Sequence, residues 1–376
     1  MKKVLFLINP ASGKLVGQNL KDCIISELDG VLDSGRYDIE YSARDIETQY
    51  DNYLSNYEIV VVAGGDGTIS QIVNVIAGLE RKPKLGIIPI GTGNDLANSI
   101  GILHLYKSQG LGALLKIILE CKIVKIDILS LDNKFIFSNY LGIGSDAKIS
   151  SDFDRLRHRP VFREIRSCIS NKGFYGLLTL KNIFYRIPFD VEIRYENEHS
   201  ATEITSLNSG IREIVITNTK IYAGMELSSK CRMDDGKFEV TVIRSMWEWI
   251  HLLFAILRRR PLDTITRNLM QFQTNRLELN FTGDTFCQID GDKYDRPCRG
   301  EKRLLVNVIT SCEVIIPQRC NTEYDQHYSV MRMRHCSPLE AVKSNLRKLS
   351  LLDRLKRRKY LSVILKLSNR VKFYWI

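Results

Sequence analysis

Short apolar runs alternate with amphipathic stretches from the start of the chain. Val4–Ile8, Ile59–Val62 and Leu85–Ile90 each hold four or five strongly apolar positions, Tyr37–Tyr41 alternates apolar with charged ones, and all four predict strands. Residues 15–28, Ile46–Leu54, Ile69–Leu79 and Asp95–Ile100 repeat apolar positions at three and four and predict helices. Strands interleaved with helices require crossover connections, so residues 1–122 are expected to form a doubly wound α/β domain on a parallel sheet. After Cys121 the texture changes. Ile123–Leu131, Phe135–Leu141, Phe189–Tyr195, Ile211–Thr217, Phe238–Ile243, Arg276–Phe281, Phe286–Ile289 and Leu304–Ile309 alternate or are rich in β-branched residues between turns. They predict a mainly antiparallel β-sandwich over residues 123–317, with helical insertions near 145–157, 174–186 and 246–259. Beyond Pro317 the chain turns polar and then basic, which sets off a tail over 318–376.

Charge sharpens that division. Of 54 Lys and Arg residues, thirteen lie in residues 331–376 against only Glu340 and Asp353, so the tail carries the whole net charge of +11 and the first 330 residues balance 41 basic with 41 acidic groups. Within the tail Leu339, Val342, Leu346, Leu349, Leu352 and Leu355 recur at helical spacing among Arg347, Lys348, Arg354 and Lys356–Lys359. This predicts a basic amphipathic helix over 339–367, suited either to packing on the body or to an anionic membrane surface. A body without basic excess and a tail without a recognisable module argue against nucleic acid. No stretch nears the roughly 18 apolar residues of a spanning helix, and the first apolar run ends at Asn9-Pro10, so a cytoplasmic protein is expected, peripheral to membrane at most. Nine scattered cysteines without a CxxC pair read as reduced thiols rather than a disulfide framework or a zinc site.

Three loops follow predicted strands directly: Asn9-Pro10-Ala11-Ser12-Gly13-Lys14, Gly64-Gly65-Asp66-Gly67-Thr68 and Gly91-Thr92-Gly93-Asn94-Asp95. All fall at the carboxyl edge of the sheet, where open α/β folds bind ligands. Glycines there let backbone N–H groups approach phosphate oxygens, and the helix start that follows adds positive potential. Asp66 repels phosphate and makes sense beside one through a bridging Mg²⁺, while Lys14 can neutralise phosphate charge. The Walker A spacing is not met, and neither glycine pair has the third glycine of a dinucleotide fingerprint.

Those loops together resemble the catalytic domain of the diacylglycerol kinase family, which includes the sphingosine and ceramide kinases. Gly142-Ile143-Gly144-Ser145-Asp146-Ala147, Asn171-Lys172-Gly173-Phe174-Tyr175-Gly176, Met233-Asp234-Asp235-Gly236-Lys237 and Gln288-Ile289-Asp290-Gly291-Asp292 extend the resemblance through the accessory domain to about residue 317. It implies an ATP- and Mg²⁺-dependent transfer of the γ-phosphate to a lipid hydroxyl at a membrane surface, diacylglycerol first and a sphingoid base or ceramide as the alternative. By the same resemblance Asn9, Pro10, Ala11, Ser12, Gly13 and Gly65, Asp66, Gly67, Thr68, Ile69, Ser70, Gln71 would hold ATP, with Thr92 and Ser42 as further contacts and Asp66 and Asp95 near the metal-bound phosphates. A structural Mg²⁺ is implied at the Arg232–Lys237 turn, with Asp235 as the carboxylate and carbonyls of neighbours such as Arg232 and Lys237 beside it. The proton acceptor is implied at Asp292 or Asp66, with Asp290 the other carboxylate of the turn. Asp292 stands where the family usually has Glu, one methylene longer. Read without the resemblance, Asp234-Asp235-Gly236-Lys237 is a turn before a strand, and Asp290-Gly291 is a hairpin turn. A NAD kinase-like enzyme shares the Gly-Gly-Asp-Gly-Thr loop, and an inactive membrane-binding scaffold would account for the short Asp292 and the tail. The oligomeric state is left open, with a dimer allowed.

Overall fold

The structure is a computed structural model that describes residues 3–317 except 43–45, 51, 121, 158–170, 198–200, 223–224, 259, 267–268 and 295–302. The tail helix expected over 339–367 lies outside the described residues. Strands β1 (Val4–Ile8), β2 (Tyr37–Tyr41), β3 (Ile59–Gly64) and β4 (Lys84–Pro89) pair in parallel in the order β2-β1-β3-β4. Helices α1 (Val16–Leu28), α2 (Ile46–Gln49), α3 (Asp66–Gly78), α4 (Asp95–Ser99) and α5 (Ile102–Glu120) supply the crossovers. β1 and β3 are buried at every position, as runs covered on both faces must be. Their side chains form one core with Ile24 and Leu28 of α1, Ile69, Ile72 and Ile76 of α3 and Leu114, Leu115 and Ile118 of α5. Each fully buried Leu or Ile there contributes about 1.5–3 kcal/mol.

The second half is the expected sandwich. One layer holds β5 (Ile123–Leu131), β6 (Phe135–Phe137), β8 (Val191–Glu196), β9 (Thr202–Leu207), β15 (Arg276–Phe281) and β18 (Arg303–Ile315); the other runs β14-β13-β10-β7-β16-β17. In that second layer β7 is Tyr140–Gly144, β10 Glu213–Thr217, β13 Phe238–Ile243, β14 Met270–Thr274, β16 Cys287–Ile289 and β17 Asp292–Tyr294. Inward residues of both layers meet in a second core, with Leu129, Ile193, Leu279 and Val306 facing Leu141, Ile214, Ile216 and Val240. A third, smaller core gathers Tyr140, Tyr222, Leu227, Trp249 and Leu252. It lies beneath α8 (Met246–Arg258) and the short ribbon of β11 (Ile221–Tyr222) and β12 (Met225–Glu226). β18 is the seam: it pairs antiparallel with β5 and β15, and Val314 near its end pairs in parallel with Leu85 of β4. The parallel and antiparallel regions therefore share one continuous ten-stranded sheet.

Several elements differ from the sequence expectation. The helix expected over Ile46–Leu54 stops at Gln49 and resumes as a 3₁₀ turn, Tyr53–Asn56, because Asn52 adopts the left-handed conformation, φ 58°. Phe135–Leu141 is two strands rather than one: between them the Ser138 and Asn139 N–H groups turn to the Asp290 carboxylate instead of a neighbouring strand. The nineteen residues of α5 are absent from that expectation; Gly110, φ 81°, breaks the helix, and two nearby glycines blur its period. Of the insertions, α6 (Ser145–Arg157) and α8 fall where expected, and α7 (Asn171–Lys181) begins and ends earlier than 174–186.

Candidate active site

The parallel sheet brings the three glycine loops together at one edge. The Asn9 side-chain amide donates to Thr68 Oγ1 at 2.7 Å, and its carbonyl accepts the Ala11 N–H at 2.9 Å, which folds Pro10–Ser12 back over the end of β1. The Ser42 N–H bonds the Ile8 carbonyl and so seats Ser42 beside the same loop. Gly65 caps α3, and Gly91 approaches it so closely that a Cβ on Gly91 would lie 2.3 Å from the Gly65 Cα. Only glycine fits there, and the two backbones can then line one cavity. Asn94 holds this approach, its amide exchanging bonds with the Gly91 N–H and C=O at 3.0 and 2.9 Å from a left-handed backbone, φ 60°.

Asp66 joins the second loop to the third. At the first position of α3, its Oδ2 accepts the Asn94 N–H at 2.6 Å, at the start of α4. Burial raises its proton affinity, and N–H groups of Asn94, Leu96 and Asp95 pull it back. Its Oδ1 is buried without a hydrogen-bond partner. One oxygen thus fixes the loops while the other is spare, the arrangement expected of a carboxylate that meets a cation or a donor on an incoming ligand. Asp95, 9% exposed, begins α4 next to it; Thr92 and Gly93 are exposed at the loop tip, Thr68 and Ile69 are buried, and Gln71 points to solvent. The side chain of Lys14 lies outside the described residues.

The Asp290-Gly291 turn reaches this edge from the second layer. Both residues have positive φ, 51° and 89°, as a two-residue hairpin turn joining β16 to β17 requires, and Ile289 pairs with Asp292 across it. Ser70 Oγ donates to Asp290 Oδ2 at 2.7 Å, so the turn is pinned one helical turn along α3 from Asp66. The Asn139 and Tyr140 N–H groups at 3.0 Å and the Ser138 N–H at 3.3 Å complete four donors to the Asp290 carboxylate. Burial raises its proton affinity, and these donors, Ser70 first, oppose the rise. Asp292 is described through its backbone alone, as the first residue of β17.

Behind the turn is a polar cluster to which the sequence reading gave no role. The Tyr222 hydroxyl lies 2.6 Å from both Asp146 Oδ2 and Glu213 Oε1, Gln288 also donates to Asp146, and Ser145 bonds Glu213 at 2.7 Å. A phenol has one proton and cannot donate to both acids, so one of them must carry a proton of its own. Each acid has one further donor, Gln288 for Asp146 and Ser145 for Glu213, so it is the charge of Asp146 beside it that favours the proton on Glu213. Accordingly burial, with Asp146 adding to it, pushes Glu213 up to about 8, and burial raises Asp146 as well. The Tyr140 phenol is raised far above its usual range, first by burial and then by Asp146, Asp95, Asp290 and Asp66, so it stands where phosphate loops, turn and cluster meet. Asp146 belonged to a recognised motif; Tyr140, Glu213 and Tyr222 carried no signal beyond strand periodicity.

At the Arg232–Lys237 turn, Asp235 accepts the Lys237 N–H, Arg232 pairs with Asp234, and Asp127 of β5 accepts the Gly236 N–H at 2.7 Å. Burial raises Asp127, and Asp235 and Asp234 push it further up. This all-oxygen surplus of negative charge suits a hard cation in kind. No group of three acidic, His or Cys side chains converges as a metal cage would among the described residues.

The sequence model of the diacylglycerol kinase catalytic domain matches residues 3–131, and that of the accessory domain matches residues 136–293. A diacylglycerol kinase of Staphylococcus haemolyticus is 31% identical over 247 residues, 65% of this chain and 68% of the relative. The chain belongs to the diacylglycerol kinase family. It is therefore a kinase, of a family of lipid kinases. A diacylglycerol kinase of Bacillus subtilis is 22% identical over 331 residues, 86% of this chain and the whole length of that enzyme. The fold is that of a diacylglycerol kinase crystal structure from Bacillus anthracis, with a TM-score of 0.60 at 18% identity, over 84% of this chain and 97% of that one. The match to the catalytic-domain model spans all three glycine loops, and the match to the accessory-domain model reaches past Asp292. No helix among the described residues is long and apolar enough to cross a membrane.

Proposed function

We propose that this family member transfers the γ-phosphate of ATP to the hydroxyl of diacylglycerol. The observation that carries the reading is the Ser70–Asp290 hydrogen bond, which ties the hairpin turn of the second layer to the helix whose first turn bears the Gly-Gly-Asp-Gly loop. Nucleotide phosphates would lie over Asn9–Gly13, Gly65–Thr68 and Gly91–Asn94, with Ser42 and Gln71 towards the nucleoside and Asp66 Oδ1 and Asp95 facing the phosphate-bound Mg²⁺. When bound there, such a cation would supply charge neutralisation for the transferred phosphoryl group. Asp290, with four donors already on its carboxylate, serves as the anchor of the turn. The proton of the attacking hydroxyl then falls to Asp292, with Asp66 as the second acceptor in reach of the phosphates. Asp235, with Asp127 and the carbonyls of Arg232 and Lys237, would hold a structural Mg²⁺ that relieves the charge on that turn. Residues 339–367 would bring the protein to an anionic membrane as a peripheral enzyme.

The test is phosphate transfer from labelled ATP to a panel of diacylglycerol, ceramide, a sphingoid base and NAD. Labelled phosphatidic acid is expected. Labelling of a sphingoid base or ceramide instead would replace diacylglycerol as the acceptor, and failure to consume ATP with any of them would favour an inactive scaffold.

A further inference from the structure

Five of the eleven exposed large apolar side chains among the described residues lie on two short segments of the second domain. Leu177 and Leu180 of α7, with Phe184 just past its end, follow at spacings of three and four and are 41%, 64% and 75% exposed. On α8, Trp247 and Phe254 stand two turns apart, 72% and 46% exposed, while Trp249, Leu252 and Ala255 of the same helix are buried in the small core. Apolar residues scattered singly on a surface need no explanation; two stripes do. Both segments border one core, since Ile183 packs against the cluster that holds Trp249 and Leu252. That cluster also contains Tyr140, whose N–H binds Asp290, so both apolar stripes lie one core layer from the candidate active site.

Its surroundings are basic. Residues 171–186 contain three Lys or Arg and no acid; residues 244–260 contain four Arg and only Glu248, which Arg244 holds at 2.9 Å. Beside α7, Lys148, Arg155 and Lys181 share the single carboxylate of Asp152 at 2.6, 2.9 and 3.1 Å, leaving two positive charges uncompensated. Two copies of such a face would repel each other, whereas aromatic and aliphatic side chains inside a basic border match the boundary between anionic headgroups and acyl chains.

We propose that this face docks on an anionic bilayer, with Leu180, Phe184 and Trp247 entering the headgroup–acyl boundary and Arg186 and Arg260 level with the lipid phosphates. The inference rests on the lipid kinase reading, because an enzyme whose acceptor stays in the membrane must meet it with a surface near its site. It is independent of the basic tail.

The experiment uses the full-length chain and vesicles of phosphatidylcholine with or without phosphatidylglycerol, lacking acceptor lipid and ATP. Phe184→Ser combined with Trp247→Ser should weaken binding to the anionic vesicles by about tenfold or more, as loss of two inserted aromatics implies. Since both side chains are exposed, the melting curve should stay put. Raised salt weakens what the tail contributes by charge and leaves this difference in place. In a Trp375→Phe background, lipids brominated on their acyl chains should quench tryptophan fluorescence, and Trp247→Phe should remove most of that quenching. Equal vesicle binding by the parent and the double variant, or quenching that survives Trp247→Phe, overturns the proposal. So does a parent that sediments as a dimer and a double variant that sediments as a monomer, because a second copy would then cover the face. If no acceptor is phosphorylated and binding still depends on Phe184 and Trp247, the kinase reading falls and the docking surface stands.

Discussion

The phosphate-loop edge and the cluster behind it both bury carboxylates, and they satisfy them in opposite ways. At the edge, Asp66 spends one oxygen on the Asn94 N–H and leaves the other without a partner. In the cluster, Asp146 and Glu213 are bridged by a single phenol, and the shortage of donor protons is met by keeping Glu213 protonated. Asp290 stands between the two, bonded to Ser70 of α3 on one side and to the N–H of Tyr140 on the other, yet saturated by four donors. Burial raises the proton affinity of all four acids, so burial alone does not mark the working one. Among these four the spare oxygen does, since only Asp66 combines one with a place in a phosphate loop: a group that must meet a ligand needs valence its own fold has not used.

That contrast is tested most severely at Asp66 and Asp290. Asp66→Asn keeps the shape of the side chain and removes its charge, and it is expected to cut phosphate transfer at least about a hundredfold, the low end for a positioned charge or base. Melting temperature should change little. Asp290→Asn tolerates the left-handed backbone but points an amide N–H₂ at N–H donors. It should therefore act first on stability, by about 1–3 kcal/mol for a frustrated buried group. Full activity of folded Asp66→Asn would remove the spare-oxygen argument.

Asp292 comes next. If it takes the proton, Asp292→Asn should lower turnover at saturating ATP by about ten- to a hundredfold, and Asp292→Glu, which restores the missing methylene, should keep or raise it. A harmless Asn would shift the proton to Asp66.

The sequence made the edge far more legible than the cluster. Loops such as Gly64–Thr68 and Gly91–Asp95 are local: each strand, its glycine turn and the helix start that follows are contiguous, so their shared edge follows once the sheet is parallel. Glu213, Tyr222 and Gln288 meet only because β7 lies between β10 and β16, a neighbourhood set by pairings across some 150 residues. Periodicity marked Glu213 as one more position on a strand. At the two ends of the large sheet the outcome differs: β2 alternates Tyr, Ile and Tyr with acids and was legible, whereas β9, largely exposed, offers no apolar alternation to read. The split of Phe135–Leu141 was hidden for a different reason, since its cause is the Asp290 carboxylate 150 residues away.

The cluster can be broken by pH. Glu213 is pushed up to about 8 in the folded protein from a usual value near 4.5, and Asp146 shifts the same way. With both forms protonated below pH 4.5, the stability tied to a raised acid is fully present. As pH rises from there the unfolded chain loses its proton while the folded one keeps it, so stability declines until about pH 8. Glu213→Gln supplies a permanent donor to the Tyr222 oxygen and cannot ionise. Its melting temperature should therefore fall less than the parent's between pH 5 and 8. Parallel pH profiles would show that Glu213 does not hold the shared proton.

The smallest effect is expected at the joint between the two regions. Ser70→Ala removes one of four donors to Asp290 and leaves the turn held by three backbone N–H groups, so the fold should lose at most about 1.5–3 kcal/mol, the usual range for a hydrogen bond to a charged group. Those three N–H groups all come from the segment Ser138–Tyr140 that leads into β7, whereas Ser70 alone among the donors belongs to α3. Its loss should let the turn shift relative to the phosphate loops without unfolding either, lowering turnover by about two- to tenfold, as small misplacements of reacting groups do, while the KM for ATP stays near its parent value. Ser70→Thr, which keeps the hydroxyl, should restore turnover. Loss of stability without loss of turnover in Ser70→Ala would mean that the second layer positions the turn unaided, and the bond would then be packing detail rather than the link between nucleotide and acceptor.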